Sequence, residues 1–186
     1  MKSIRAQPEA RIGHRRRLMM IAAPAALASA LAHGQQPANP LWDGFDLRAR
    51  ADDEWRLIVS PYTRHWSDSP EHEHVWLVGI ERKRASGHLA GATYFSNSFG
   101  QPSAYVFPWG RVYEDLFDIK GLYAKWTAGL LYGYKEPYED KVPFNHNGFS
   151  PGFVPGVGYE FAGGHQVQLN ILGNAGVMLQ FSLRVR

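Results

Sequence analysis

The sequence predicts an all-β protein, folded as an eight-stranded antiparallel up-and-down β-barrel. Short strand-like runs separated by turn residues follow one another from Arg56 onward. Several of these runs alternate apolar and polar residues with a period of two, as strands with one apolar face do. No stretch reaches the roughly 18 consecutive apolar residues of a transmembrane helix. The eight runs lie at about 56–65, 74–82, 88–96, 102–113, 122–134, 152–161, 165–172 and 175–186.

Composition and the N-terminal segment narrow the classes of protein that fit. The 186 residues suit one domain, and the lack of cysteine excludes a disulfide framework and a thiolate zinc site. Residues 1–34 read as a secretory signal peptide, with basic residues 15–17, an apolar run to about Ala32, and small residues suited to cleavage after Ala32 or Gly34. This segment holds six of the 20 Lys/Arg and one of the 17 Asp/Glu, which leaves 14 basic and 16 acidic residues. Nucleic-acid binding then loses its main electrostatic argument.

Residues 35–55 are predicted to be a lead-in to the barrel, which is assigned to residues 56–186. Leu41, Phe45 and Leu47 recur at a loose helical spacing with charges between them. This pattern fits a short amphipathic helix at a membrane interface and fits a plain loop equally well.

The alternation divides each late strand into an apolar and a polar face. The odd-numbered residues of 177–185 are apolar, whereas the even-numbered ones include Gln180, Ser182 and Arg184. Over 166–171, Gln, Gln and Asn alternate with Val, Leu and Ile. A continuous bulky apolar face and a polar face of amides and arginine favour an outer-membrane barrel with a polar lumen. A secreted lipocalin-like barrel, with these faces reversed, is the alternative, because alternation does not say which face is outside.

Loop lengths predict the orientation of an outer-membrane barrel. With an even number of strands, the barrel begins and ends on the periplasmic side, and its longer loops are extracellular. The longest gap, 135–151, falls on the outer side. His65, which ends the first predicted strand, and Asn97 and Ser98, which follow the third, then reach the same outer rim.

Acyl transfer requires at least an imidazole near a hydroxyl, because the histidine can remove the proton of an attacking hydroxyl. Asn97 and Ser98 are neighbours and would point to opposite faces of a regular strand, so one site can use both only if the strand ends or bulges there. Gly100 and Pro102 favour such an end. The simpler interpretation is that this segment is only a turn and that His65 is only a strand-end histidine.

Three segments resemble the lipid A palmitoyltransferases of the Gram-negative outer membrane. They are YTRHW at 62–66, YFSNSFGQPSA at 94–104 and the proline-punctuated FSPGFVPGVGYEF at 149–161. The resemblance spans roughly residues 55–186. It implies an eight-stranded barrel preceded by an amphipathic helix, and a sixth strand whose missing backbone donors open a lateral path for lipid.

The resemblance also implies an activity and its residues. A palmitoyl-like chain would move from a phospholipid donor to a lipid A acceptor, carried out by a monomer in the outer membrane without cofactor or metal. The family's histidine falls on His65 as general base, its serine on Ser98 as nucleophile or oxyanion-side donor, and its aspartate on Asn97, which would orient the histidine. Asparagine cannot offset an imidazolium charge, so Asp68 or Glu71 is an alternative acidic partner. Other functions that fit are lipid A deacylation by the same His and Ser, and a non-catalytic structural or interaction barrel.

Two further expectations concern the surroundings of this site. The acyl chain is expected in the upper barrel, between Tyr94, Tyr105 and Trp126 if these face inward. The run of alternating Glu and His at 71–74 has ligands for a metal at alternate positions, but a charged, solvated loop is the favoured interpretation.

Overall fold

The computed structural model describes Phe45, Asp46 and residues 48–185. The predicted signal peptide at 1–34 lies outside the described residues. Among the described residues, no helix is long and apolar enough to span a membrane. Eight strands close into a barrel in which each strand pairs antiparallel with the next and β8 pairs with β1. The strands are β1 Glu54–His65, β2 Leu77–Lys83, β3 Leu89–Ser96, β4 Pro102–Tyr113, β5 Leu122–Tyr132, β6 Phe149–Glu160, β7 Gln166–Ile171 and β8 Gly176–Arg184.

This architecture confirms the predicted eight-stranded up-and-down barrel. We call the end where β1 begins and β8 ends the lower rim, and the opposite end the upper rim. The lower connections are 84–88, 114–121 and 161–165, and the upper ones are 66–76, 97–101, 133–148 and 172–175. The longest connection, 133–148, lies at the upper rim together with the end of β1 and the end of β3.

The outer surface of the barrel is apolar. In β8, Phe181 and Leu183 are exposed while Gln180 and Ser182 are buried in the interior. The same division runs around the barrel, so the apolar side of the alternating pattern faces outward and the polar side inward. This is the reverse of a lipocalin-like barrel. Exposed apolar side chains on the strands include Leu57, Val78, Ile80, Val106, Leu130, Phe153, Val157, Leu169 and Ile171.

The interior has two chemically different halves. The upper interior is an apolar cluster around Tyr105 and Phe107. The lower interior is mainly polar and charged, apart from a small apolar cluster of Leu89, Val112 and Tyr123. Lys125 Nζ lies 2.7 Å from Glu81 Oε2, both side chains being buried. A chain of side-chain hydrogen bonds extends this polar region, since Gln168 donates to Asn170, Asn170 to Gln180 and Gln180 to Ser182. The members of the upper cluster are Ile58, Leu77, Tyr105, Phe107 and Met178, with Phe95, Leu131, Val154 and Leu172 packed against them.

The described part of the lead-in packs on the outside of the barrel near the lower rim. The Phe45 ring contacts Trp109 edge-on at 5.6 Å. The Asp46 carbonyl accepts hydrogen bonds from Arg82 (2.7 Å) and Arg84 (2.8 Å), which buries both guanidinium groups. Residues 48–53 contain no helix. The rest of the predicted amphipathic segment before Phe45 lies outside the described residues.

Strand β6 is only partly bonded on one side. It pairs with β5 from Phe149 to Tyr159 but with β7 only from Gly156 to Glu160. Its upper part, 149–155, therefore has no ladder partner on the β7 side, and the prolines within it provide no backbone donor. The barrel wall therefore lacks backbone pairing between β6 and β7 in its upper half.

Candidate functional site

A β-bulge aims His65 into the barrel. The register of β1 against β8 shifts between Val59 and Tyr62, which inserts an extra residue on β1. Below the bulge the even-numbered residues of 56–60 are buried, whereas above it Tyr62 is 51% exposed and His65 pairs with Gly176 on the buried side of β8. Without the bulge, the period of two would place His65 on the outer surface.

A tight turn carries Ser98. β3 ends at Ser96, and the Gly100 N–H donates to the Asn97 carbonyl at 3.1 Å to close the turn. Gly100 has a φ of +74°, a backbone conformation that glycine adopts without strain. Ser98 is thus the first central residue of a turn, so the segment is the turn that its composition indicated and also the carrier of a hydroxyl.

His65 and Ser98 meet at the upper rim. His65 Nε2 lies 2.7 Å from Ser98 Oγ, although 33 positions separate the two residues in the chain. In the neutral imidazole with its proton on Nδ1, Nε2 accepts the hydrogen bond and the serine hydroxyl donates it. The Ser98 carbonyl is held in turn by the Glu73 N–H at 2.8 Å. This is the geometry required of a general base and the hydroxyl that it activates.

Asn97 does not have the predicted role of orienting the histidine. Its Oδ1 accepts from the N–H groups of Phe99 (2.9 Å) and Gln101 (3.0 Å), and its Nδ2 donates to Gln101 Oε1 (3.3 Å). Asparagine side chains commonly bond the backbone two residues on in this way. Asn97 is almost fully buried and acts on the shape of the turn, and through it on the position of Ser98.

The alternative acidic partners do not reach the histidine either. Asp68 pairs with Arg64 at 3.4 Å, and both side chains are exposed. Glu71 is exposed on the same loop. Across residues 48–185 and the two described residues before them, no carboxylate lies within 4.0 Å of the His65 ring nitrogens. The imidazole is therefore not supported by a negative charge.

A second imidazole takes the neighbouring position. The rings of His65 and His72 lie 4.2 Å apart at an angle of 33°, and His72 contacts Phe99 edge-on at 5.8 Å. His72 belongs to the Glu-His run considered above as a metal-binding segment or a solvated loop. In the described part of the chain, no group of three or more His, Cys, Asp or Glu is arranged to hold a metal ion. Spacing within the run could not reveal its contact with His65.

Tyr134, from connection 133–148, is a site residue that sequence reasoning missed. It lies beside the turn of Ser98. Burial raises the pKa of Tyr134, so the phenol stays protonated at neutral pH. Its ring also contacts Phe99 edge-on at 6.3 Å, and Phe99 stacks on Tyr138 at 4.2 Å. In the sequence Tyr134 stands out only as one more aromatic residue near a strand end.

Of the three predicted acyl-pocket residues, only Tyr105 faces the interior. It is buried, and its hydroxyl donates to Thr127 Oγ1 at 3.2 Å. Tyr94 is 50% exposed and packs against Trp76 on the outside, so its assignment to the pocket is wrong. Trp126 is excluded for the same reason, since it alternates with inward-facing residues of β5 and stacks on the exposed Phe153.

An open groove of about 340 Å³ adjoins His65 on the side of β1 and connection 66–76. It gives solvent or a polar head group access to the imidazole. Its lining is mainly polar and includes Thr63, Arg64, Asp68, His72 and His74.

Comparison with protein-family models and with curated proteins finds no match to the chain. The functional argument therefore rests on the site itself and on its surroundings in the barrel.

Proposed function

We propose that this protein is an outer-membrane acyltransferase that moves a palmitoyl-like fatty acyl chain from a phospholipid to lipid A. The observation that carries the proposal is the 2.7 Å contact between His65 Nε2 and Ser98 Oγ at the upper rim. A base within hydrogen-bonding distance of a hydroxyl is the common core of acyl-transfer sites.

The outer surface supports a bilayer location. Apolar side chains such as Val78, Val106 and Leu169 are exposed on the strands, with the polar residues inside. A continuous apolar belt of this kind is costly in water and is the usual outer surface of a barrel in a Gram-negative outer membrane. Its lower rim would face the periplasm, which brings the His65 and Ser98 pair to the outer leaflet, where lipid A is found.

The interior supports a hydrocarbon substrate. The apolar upper interior, around Tyr105 and Phe107, is chemically suited to contacts with an acyl chain. The charged lower interior limits how deep such a chain can reach, because displacing the Lys125 and Glu81 pair would leave buried charge unpaired. The unpaired upper part of β6, 149–155, supports lateral entry of lipid from the bilayer.

In the first step, His65 Nε2 takes the Ser98 proton while Ser98 Oγ attacks the ester carbonyl of the phospholipid. The bond between the carbonyl carbon and the glycerol oxygen then breaks, and that oxygen takes the proton from His65. The products are an acyl ester on Ser98 and a lysophospholipid.

In the second step, His65 takes the proton of a hydroxyl on lipid A, whose oxygen attacks the acyl ester. The bond between the carbonyl carbon and Ser98 Oγ breaks, and Oγ recovers its proton from His65. We favour Ser98 as the nucleophile over Ser98 as a hydrogen-bond donor to the oxyanion, because its hydroxyl lies within hydrogen-bonding distance of the base, His65. If water replaces the lipid A hydroxyl, the same groups perform deacylation, and the open groove beside His65 supports that second activity.

Mass spectrometry of lipid A tests the proposal. The chain or its Ser98→Ala variant is expressed in a Gram-negative host that lacks its own palmitoyltransferase, with Ser86→Ala at the opposite rim as the matched control. We expect a gain of one fatty acyl mass with the wild type and with Ser86→Ala, and none with Ser98→Ala. Loss of an acyl group would indicate the deacylase, and an unchanged profile with correctly inserted protein would leave a non-catalytic barrel.

A further inference from the structure

We infer that His72 is a positioning residue, whose ring holds the plane of the His65 imidazole so that Nε2 stays directed at Ser98 Oγ. The inference rests on the proposed function, since it concerns the same base and the same hydroxyl. It gives a role to the Glu-His run at 71–74, for which the sequence favours a charged, solvated loop. Three features support it: the few restraints on the His65 ring, the geometry of the ring pair and the anchoring of His72.

The His65 ring has few restraints. Over the ranges that the structure describes, its hydrogen bonds and ring contacts come from two side chains only. Ser98 Oγ lies 2.7 Å from Nε2, and the centroid of the His72 ring lies 4.2 Å from that of His65. In a Ser-His-Asp triad, a carboxylate on Nδ1 fixes the orientation and the tautomer of the imidazole. No described side chain bonds Nδ1 of His65 in this way, so the ring must be oriented from another side.

The two rings lie so that His72 restrains the plane of His65 without competing for its nitrogens. A centroid separation of 4.2 Å with a tilt of 33° brings the two ring faces together. An edge-on pair lies further apart, as the rings of His72 and Phe99 do at 5.8 Å. The nitrogens of an imidazole point outward from the edge of the ring. The stack therefore fixes the plane of His65, and the hydrogen bond with Ser98 fixes the rotation of the ring within that plane.

His72 is itself backed by aromatic side chains from two other connections. Phe99 of turn 97–101 contacts it edge-on, and Tyr138 of connection 133–148 stacks on Phe99 at 4.2 Å with a tilt of 13°. His65, His72, Phe99 and Tyr138 thus form a continuous row of rings. His72 cannot move away from His65 without losing contacts on its other side.

The backbone around His72 is attached to the same turn that carries Ser98. The His72 N–H donates to the Ser69 carbonyl at 3.1 Å and closes a tight turn. The next N–H, that of Glu73, donates to the Ser98 carbonyl at 2.8 Å. Two adjacent residues therefore hold both members of the reacting pair, His65 by its ring and Ser98 by its carbonyl. Groups held in this way are aligned before substrate arrives, and such alignment raises the rate of a reaction.

Labelling of Ser98 measures this effect without lipid A. The full-length protein in detergent micelles is treated with an alkyl fluorophosphonate. Ser98 Oγ attacks phosphorus, the phosphorus–fluorine bond breaks, fluoride leaves and His65 takes the serine proton. For His72→Ala, which removes the stack, we expect labelling to slow by about tenfold or more. His72→Phe keeps a flat ring at this position and should recover most of the wild-type rate. Glu71→Ala, at an exposed position of the same loop, is the matched control and should stay within about twofold of the wild type.

The tautomer of His65 separates positioning from a general effect on the loop. It is read from two-bond nitrogen–proton NMR spectra of the histidine rings above neutral pH, with His65→Gln to assign the signals. The wild type and His72→Phe should show an unprotonated Nε2 on His65. For His72→Ala we expect a mixture of both tautomers, because the hydrogen bond at one ring nitrogen decides which nitrogen carries the proton.

The outcomes separate this inference from the proposed function. Slow labelling and mixed tautomers in His72→Ala, both reversed in His72→Phe, support it, provided that the heat-dependent mobility of each barrel on gels shows the same folded fraction and that Ser98→Ala is not labelled. A wild-type rate in His72→Ala, slow labelling with an unchanged tautomer, or a His72→Phe variant as slow as His72→Ala overturns the role of His72 and leaves the proposed function intact. A wild type that is not labelled at Ser98 overturns the nucleophile, and both proposals with it.

Discussion

The upper and lower halves of the barrel interior are built from the same alternating strands. They differ in whether an acyl chain could replace the contacts between their side chains. The upper half packs apolar side chains around Tyr105 beneath the His65 and Ser98 pair. The lower half is closed by ion pairs such as that of Lys125 with Glu81. An acyl chain can replace apolar contacts at little cost, whereas displacing an ion pair leaves buried charge. Under the proposed function, chemistry is expected in the upper half, whereas the lower half stabilises the barrel.

The largest expected effect is on the upper half. His65→Ala removes the base, so the rate of acyl transfer from phospholipid to lipid A in mixed micelles should fall by about a thousandfold or more. The free energy of unfolding should change little, because the ring is partly exposed. His165→Ala, an exposed histidine at the lower rim, is the matched control and should keep full activity. Substantial acyl transfer by His65→Ala would mean that the reaction does not use His65 and the upper rim as its site.

The lower half should show the opposite response. Lys125→Met leaves the Glu81 carboxylate buried without its partner, so the free energy of unfolding should fall by about 3–5 kcal/mol. Urea unfolding in lipid vesicles measures it, with the exposed Lys120→Met as control. Adding Glu81→Leu should restore most of the loss, because no unpaired charge remains. The rate per folded molecule should stay near that of the wild type, and a large loss of rate without loss of stability would contradict the division of roles.

A smaller effect should distinguish the inside of the upper half from its outside. Tyr105→Leu shortens a buried side chain and should shift the preferred donor toward longer acyl chains. Tyr94→Leu, on the outer surface of the neighbouring strand, should leave the preference unchanged. Competition between phospholipids of different chain length, read from the mass of the lipid A product, measures both. A shift with Tyr94→Leu alone would place the acyl chain on the outside of the barrel.

The alternating pattern was sufficient to predict the fold. Period-two alternation is a local property of each strand, so strand ends were predicted within three residues across all eight strands. The pattern gives two faces without saying which is outside, and it is weak in β3, where small residues occupy both faces. This is why the orientation of Tyr94 was open. The bulge between Val59 and Tyr62, which turns His65 inward, interrupts the period and was not predicted, although Pro61 lies within it.

The site was only partly predictable for a different reason. Strand order predicted that His65, at the end of β1, and Ser98, in the turn after β3, reach the same rim. Their selection as a catalytic pair came from the resemblance of their segments to the lipid A palmitoyltransferases. Tyr134 and His72 reach the turn of Ser98 and the ring of His65 from connections whose conformation depends on hydrogen bonds between distant segments, such as that of Lys135 with Gln101. Neither strand periodicity nor motif spacing carries such information.

The smallest expected effect comes from Asn97→Asp. This variant tests whether a carboxylate at position 97 would bond within the turn, as Asn97 does, or would reach His65. An aspartate can accept from the Phe99 and Gln101 N–H groups as Asn97 does, but it loses the donor to Gln101 Oε1. We expect a loss of about 1 kcal/mol in the free energy of unfolding and a transfer rate less than about fivefold below the wild type.

Asn97→Ala removes the Oδ1 that accepts from both N–H groups and should slow transfer more than Asn97→Asp, because the turn that holds Ser98 loses two of the hydrogen bonds that fix its shape. The two variants are compared by initial rates at equal folded concentration. A rate for Asn97→Asp that rises about tenfold or more would mean that a carboxylate at this position reaches His65 and stabilises its imidazolium. The site would then be a weakened carboxylate–histidine–serine arrangement, in which the wild-type asparagine lowers the rate.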